Sequence, residues 1–191
     1  MIFATNNLHK LEEARQILGP EYRLSTPRDF GIMEEIPEEQ DTLEGNALQK
    51  ARYIHERTGQ DCFADDTGLE VEALDGAPGV YSARYAGEHC SFEDNMDKLL
   101  AAMETEENRR ARFRTVIALI LGGREYLFEG EVGGEITRES SGGAGFGYDP
   151  VFRPDGYGVT FAEMGAEEKN AISHRGMAVA CLAEFLHDHK P

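Results

Sequence analysis

The chain opens on a short apolar run, residues 1–5, that reads as a buried strand. From Leu8 the apolar spacing changes to three and four. Leu8, Leu11, Ala14, Ile17 and Leu18 make one helical stripe, with Asn6 or Asn7 as cap and Gly19-Pro20 as stop. A strand near residues 22–25 is expected next. Asp41 and Glu44 form a capping box ahead of a second helix that carries Leu43, Ala47, Leu48, Ala51 and Ile54 on one face. Residues 62–65 and 69–71 read as strand pieces around a carboxylate turn. Ser91 and Asp94 repeat the capping-box signature before Phe92, Met96, Leu99, Leu100 and Met103. Residues 112–121 and 124–136, joined by Gly122-Gly123, predict a long β-hairpin. A last helix starts from Ser173 as N-cap, with Ile172 and Met177 as a hydrophobic staple and Ala178, Cys181, Leu182 and Phe185 on its buried side. Helices and strands alternate early and a hairpin then intrudes. The predicted fold is α/β, a mixed sheet flanked by helices, in one domain over residues 1–191 with no separable linker.

Composition narrows the function classes. An apolar content of 40 % over 191 residues excludes a disordered chain. The longest aliphatic run, residues 116–121, is far too short to span a bilayer, and the first residues carry no basic leader. Cysteines 62, 90 and 181 lack metal-ligand spacing and cannot all pair, so a reducing, cytoplasmic setting is expected. With 19 basic and 36 acidic residues the net charge is −17, which repels nucleic-acid backbones and anionic membranes. A free nucleotide stays compatible, because its site needs only a few cations and a metal. The same acidity also serves solubility.

Four segments offer chemistry. Thr5-Asn6-Asn7-Leu8-His9-Lys10 lies where a strand turns into a helix, and free N–H groups, the helix dipole and Lys10 favour an anion there. The spacing is not that of a Walker loop, and a plain helix cap explains it equally. Asp65-Asp66-Thr67-Gly68 places adjacent carboxylates so that one can meet Mg²⁺ while the other braces the turn, with Glu38 or Glu39 as a further ligand. The bland alternative is a solvated Asx turn. Residues 74–85, rich in Gly and Pro and carrying Arg84, read mainly as a shaped loop. Residues 143–150 combine glycines with Phe146, Gly147, Tyr148 and Asp149, and about twenty positions on come Lys169, His174 and Arg175. Two rings, a carboxylate and donor side chains suit a base with hydrogen-bonding edges, although Phe146 and Tyr148 read equally as core aromatics. His174 and Arg175 sit in a first helical turn, where cations oppose the dipole, which points to an anionic or carbonyl-bearing ligand.

Five strings in order, TNNLHK, IPEEQDTLEGNALQKA, FADDTGLEVEALDGAPGVYSARYAG, GGAGFGYDPVF and TFAEMGAEEKNAISHR, resemble the inosine triphosphate pyrophosphatase family from position 5 to position 175. The resemblance implies Mg²⁺-dependent hydrolysis of dITP, ITP and XTP to the monophosphate and pyrophosphate. It assigns Thr5, Asn6, Asn7, Leu8, His9, Lys10 and Lys50 to the triphosphate, and Thr67 to substrate contact. Glu38 and Asp66 take the metal, with Glu39 as the alternative to Glu38, and Asp66 also accepts the proton. Phe146, Gly147, Tyr148 and Asp149 hold the base, and Lys169, His174 and Arg175 complete its recognition by donating to the 6-oxo group. The implied fold is an elongated mixed sheet with two lobes and a groove between them, in a homodimer. Two other readings remain from the sequence: a Maf-like nucleotide pyrophosphatase of different specificity, and a non-catalytic nucleotide sensor.

Overall fold

The computed structural model describes residues 1–189. Its strands are β1 (Ile2–Phe3), β2 (Cys62–Val71), β3 (Pro78–Gly79), β4 (Arg110–Leu121), β5 (Arg124–Ile136) and β6 (Phe152–Pro154). They form one mixed sheet in the order β1-β2-β4-β5-β6, with β3 paired to β2. β1 runs parallel to β2 with Phe3 opposite Phe63, whereas β3 on β2 and β6 on β5 are antiparallel. The helices are α1 (Leu8–Leu18), α2 (Leu43–Thr58), α3 (Phe92–Ala102), α4 (Ala166–Ile172) and α5 (His174–Asp188). The expected hairpin is β4 and β5, and both turn glycines take the positive φ that its two-residue turn needs, 57° at Gly122 and 75° at Gly123. No described helix is long and apolar enough to cross a membrane.

The chain divides into two compact units. The first comprises Met1–Asp66, Thr115–Gly130 and the chain from Arg175 onward. Its core stacks Phe3 on Phe63 at 4.4 Å and adds Leu11, Ala14, Leu18, Ile117, Leu119, Ala178 and Leu182. Asn7 caps α1, its Oδ1 accepting from the N–H groups of His9 and Lys10. Leu8, expected on the buried stripe, is instead 75 % exposed, because the first turn overhangs the core that Leu11 begins. The cap of α2 is Thr42 in place of Asp41: its Oγ1 accepts from Gly45 N at 3.0 Å, the third helical position a cap reaches. The strand expected near residues 22–25 reduces to one parallel bridge between Ile2 and Ser25, since β1 offers only two residues to pair with. On α5 the buried row is Ala178, Val179, Leu182 and Leu186. Cys181 faces solvent, and half-buried Phe185 packs on Tyr126 at 4.5 Å.

The second unit comprises Thr67–Arg114 and Glu131–His174. Its core holds Leu69, Leu99, Met103, Ile136, Val151 and an aromatic set in which Phe113 meets Phe152 edge-on at 4.6 Å. The capping box of α3 forms as expected, Ser91 N donating to Asp94 at 2.8 Å and Asp94 N to Ser91 Oγ at 3.0 Å. Arg84 lies 5.1 Å over the Tyr81 ring, the shaping role favoured for that loop. Ser173 is not simply the start of one helix: it closes α4, its N–H donating to Lys169 O, before α5 begins at His174.

β2 corrects the expected carboxylate turn. The segment from Cys62 to Val71 is a single strand with neighbours on both sides, so its ladder bonds hold Asp65 and Asp66 extended. Adjacent residues of a strand point to opposite faces, which sends the two carboxylates to different partners.

Candidate active site

In the first unit, Asp65 accepts from Lys10 Nζ at 3.1 Å and from Arg175 Nε at 3.2 Å, and Arg175 Nη1 donates to Glu13 at 2.5 Å. Burial alone would discourage ionisation of Asp65, but Lys10, Arg175 and Lys50 outweigh it and hold its carboxyl well below the usual aspartate range. Burial likewise lowers the Lys10 pKa, and Asp65 only partly offsets this.

Asp66 enters a different set. Its Oδ2 accepts from Asn46 Nδ2 at 3.1 Å and its Oδ1 lies 3.6 Å from Lys50 Nζ, which donates to Glu38 at 2.5 Å. Asn46 and Lys50 are four residues apart on α2, hence on one face, between the buried Ala47, Ala51 and Ile54. Burial, joined by the charge of Glu38, raises the Asp66 pKa against the pull of Lys50 and Lys10. Glu38 is buried less; its nearness to Lys50 overcomes the burial and keeps its carboxyl below the ordinary glutamate range. Burial works against the Lys50 charge, yet Asp66, Glu38 and Asp65 together raise its pKa.

Glu38 therefore reaches the cluster and Glu39 does not: Glu39 is tied to Gln49 through its own N–H at 2.9 Å and its carboxylate at 3.2 Å. Among the described residues no group of three or more His, Cys, Asp or Glu is placed to hold a metal ion. The pair Glu38 and Asp66, already converging on one ammonium, nonetheless fits Mg²⁺, which takes one or two carboxylates and completes its shell with phosphate oxygens and water.

In the second unit the glycine-rich loop is organised by Asp149, whose Oδ2 accepts from Phe146 N at 3.0 Å and from Lys169 Nζ at 2.7 Å. Gly145, at φ +72°, must be glycine: a Cβ there would come 2.1 Å from Asp149 Oδ2. Lys169 is buried, with its ammonium 5.1 Å over the Phe146 ring. Of the two expected rings only Phe146 offers a face. Tyr148 belongs to the core, its hydroxyl donating to Ser82 O at 2.6 Å, and burial raises its pKa. His174 is buried and stacked on Phe113 at 4.5 Å.

Of the expected residues, Lys10, Glu38, Lys50, Asp66 and Arg175 join one cluster and Phe146, Asp149 and Lys169 the other. Arg175, grouped in sequence with Lys169 and His174, instead makes its bonds to Asp65 and Glu13 beside Lys10. Asn6, Leu8 and His9 are exposed, Thr67 and Gly147 half-buried, and Thr5 Oγ1 accepts from Asn7 N at 3.0 Å. The first cluster also holds Asp65, read in sequence only as one of two adjacent carboxylates, and Glu13 and Asn46, which the sequence reading does not single out. Their signal was a polar side chain at helical spacing from a lysine, Glu13 three residues after Lys10 and Asn46 four before Lys50, and for Asp65 its adjacency to Asp66.

The mixed-sheet α/β fold thus carries one buried carboxylate-lysine cluster in each of its two units. The chain belongs to the Ham1 family, whose sequence profile matches residues 1–185. Among its relatives, the dITP/XTP pyrophosphatase of Porphyromonas gingivalis is 56 % identical, covering 97 % of this chain and 96 % of the relative. The dITP/XTP pyrophosphatase of Flavobacterium johnsoniae is 51 % identical over 97 % of each chain. The structure of the Staphylococcus aureus Ham1 protein matches with TM-score 0.89 at 38 % identity, covering 99 % of this chain and 98 % of that one.

Proposed function

We propose that the protein hydrolyses the non-standard purine nucleoside triphosphates dITP, ITP and XTP to the monophosphate and pyrophosphate, with Mg²⁺ as cofactor. The observation that carries this is Lys50, buried and shared by Glu38 at 2.5 Å and Asp66 at 3.6 Å. Relatives about half identical over nearly the whole chain are named dITP/XTP pyrophosphatases, which supports the substrate class.

Lys10, Lys50 and the turn of Thr5, Asn6, Asn7, Leu8 and His9 take the triphosphate, since positioning and charge neutralisation dominate phosphoryl transfer. Glu38 and Asp66 would hold Mg²⁺, which when bound supplies charge neutralisation on the polyphosphate. Asp66 accepts the proton of the water that attacks the α-phosphorus. Beside a divalent ion an aspartate is readily ionised, so positioning matters more than basicity, and the Asn46 hydrogen bond fixes its orientation. Thr67, next in the chain, contacts the substrate.

Phe146, Gly147 and Asp149 hold the base, with Phe146 supplying the stacking face, while Tyr148 supports the loop from the core. Lys169, whose ammonium already donates to Asp149, and His174 answer a 6-oxo acceptor. Adenine turns an amino donor toward them, and each unmatched buried group costs about 1–3 kcal/mol. Arg175 acts with Lys10 on the polyphosphate side. The same reading takes the protein as a cytoplasmic homodimer, in keeping with three unpaired cysteines. Pyrophosphate release from ITP, XTP, dITP, GTP and ATP, with and without Mg²⁺, tests it. Release from the first three in Mg²⁺ is expected, and a preference for ATP or GTP, or release of orthophosphate, overturns it.

A further inference from the structure

One ring beside the glycine-rich loop has no part in the chemistry above. Phe92 occupies the first position of α3 and remains 45 % exposed, the outermost member of the row Phe92, Met96, Leu99 and Met103. The other three are buried in the core of the second unit, so the row runs off the core at Phe92. A first helical turn is suited to acidic or polar residues, and Glu93 and Asp94 supply them here. What Phe92 does contact is Phe146: their ring centroids are 6.1 Å apart with planes tilted by 46°. That separation and tilt lie in the range where aromatic rings attract edge to face.

Phe146 is therefore flanked by two groups that fix its plane, the Lys169 ammonium at 5.1 Å and the Phe92 ring at 6.1 Å. Backbone bonds also tie the loop carrying Phe146, Ala144 N donating to Ala162 O and Phe146 N to Asp149, and neither acts on the ring. A stacking ring on a loop contributes most when its plane is set before the ligand arrives, because ordering it on binding weakens affinity.

We propose that Phe92 is a positioning residue for base recognition: it buttresses Phe146, so that α3 rather than the glycine-rich loop alone sets the stacking plane. This rests on the proposed role of Phe146 at the purine. Phe92 acts through the ring it supports and not on the phosphates.

The test measures binding of IMP and of tripolyphosphate by calorimetry for wild type, Phe92→Ala and Phe92→Tyr, with ITP turnover and thermal unfolding recorded alongside. Phe92→Ala is expected to weaken IMP binding and raise the KM for ITP by roughly 3- to 10-fold, the scale of one tilted aromatic pair. Tripolyphosphate affinity and kcat stay within about 2-fold, and Phe92→Tyr restores IMP binding. Unchanged IMP affinity in Phe92→Ala overturns the proposal, as does a parallel loss for IMP and tripolyphosphate, which marks general loosening, or a failure of Phe92→Tyr to rescue. Wild-type protein that binds IMP with the predicted Phe92 dependence but releases no pyrophosphate would refute the proposed reaction and leave this inference standing. Wild-type protein that does not bind IMP would refute both.

Discussion

Replacing Lys50 with methionine removes the ammonium that Glu38 and Asp66 share while keeping most of the side chain's length and apolar stem. Methionine suits the site, since Lys50 is 5 % exposed and packed among Ala47, Ala51 and Ile54. What is lost is the charge. Breaking a buried ion pair from one side costs about 3–5 kcal/mol, because the remaining carboxylate stays buried and uncompensated. Asp66 meets that description with its side chain 9 % exposed, whereas the Glu38 side chain retains 34 % and is partly screened by water. The expected loss is therefore near the lower end, about 3 kcal/mol, read from urea unfolding at neutral pH without divalent ions. Mg²⁺ supplies the decisive arm. If Glu38 and Asp66 are the metal carboxylates, Mg²⁺ replaces the missing charge and stabilises Lys50→Met more than wild type, by RT ln(1 + [L]/Kd) with a lower Kd. The differential shrinks in Lys50→Met combined with Asp66→Asn, where only the partly exposed Glu38 is left without its ion-pair partner. Equal stabilisation of wild type and Lys50→Met by Mg²⁺, or no destabilisation of Lys50→Met without it, would refute the shared-cation reading.

Asp66→Asn should lower kcat by about 10²- to 10⁴-fold while IMP binding is retained; near-normal turnover in saturating Mg²⁺ removes Asp66 as proton acceptor. Gly145→Ala meets both a left-handed backbone and Asp149 Oδ2 2.1 Å from its Cβ, so Asp149 must leave Lys169 and Phe146 N. Weakened IMP binding with unchanged tripolyphosphate binding is expected, and equal weakening of both counts against the division between base and phosphate residues. Asp65 has a folded pKa held below its unfolded value of about 3.9, so its contribution to stability is complete above that value and is lost as pH falls from there through the lower folded pKa. The stability gap between wild type and Asp65→Asn should stay level from about pH 7 to 5 and shrink below about pH 4; a gap that widens in acid contradicts the sign.

Long periodic elements were legible in the sequence because one interaction, burial of an apolar stripe, fixes them. The α3 capping box and the β4–β5 hairpin each added a local signal that agreed with the stripe. Readings failed where a neighbour in space decided. Asp65 and Asp66 look like a polar turn, and only flanking strands with buried cations make them strand residues. Cys181 and Leu182 are equally apolar in sequence, but the four-residue row through Ala178, Leu182 and Leu186 leaves Cys181 outside. The site followed the same division. Motif spacing singled out Lys10, Asp66, Asp149 and Lys169, and the family resemblance added Lys50, yet Arg175's bonds to Asp65 and Glu13 join positions 110 and 162 residues apart.

The charges of the first cluster constrain how an anion can enter it. Lys10, Lys50 and Arg175 carry three positive charges, and Glu13, Glu38, Asp65 and Asp66 carry four negative ones when ionised. Cations that already face carboxylates have little attraction left for a polyphosphate, and the chain's net charge of −17 adds repulsion at low salt. Two things can counter this: a proton on Asp66, whose pKa is raised, or a divalent cation between Asp66 and Glu38. A proton on Asp66 would bring the local sum only to zero and would disable Asp66 as acceptor. A divalent cation held by Asp66 and Glu38 would instead leave Asp66 ionised and change the sum from minus one to plus one, leaving Lys50 available to phosphate oxygen. If the first cluster takes a polyphosphate, its surplus of carboxylates favours an anion accompanied by a divalent cation over one that arrives without it.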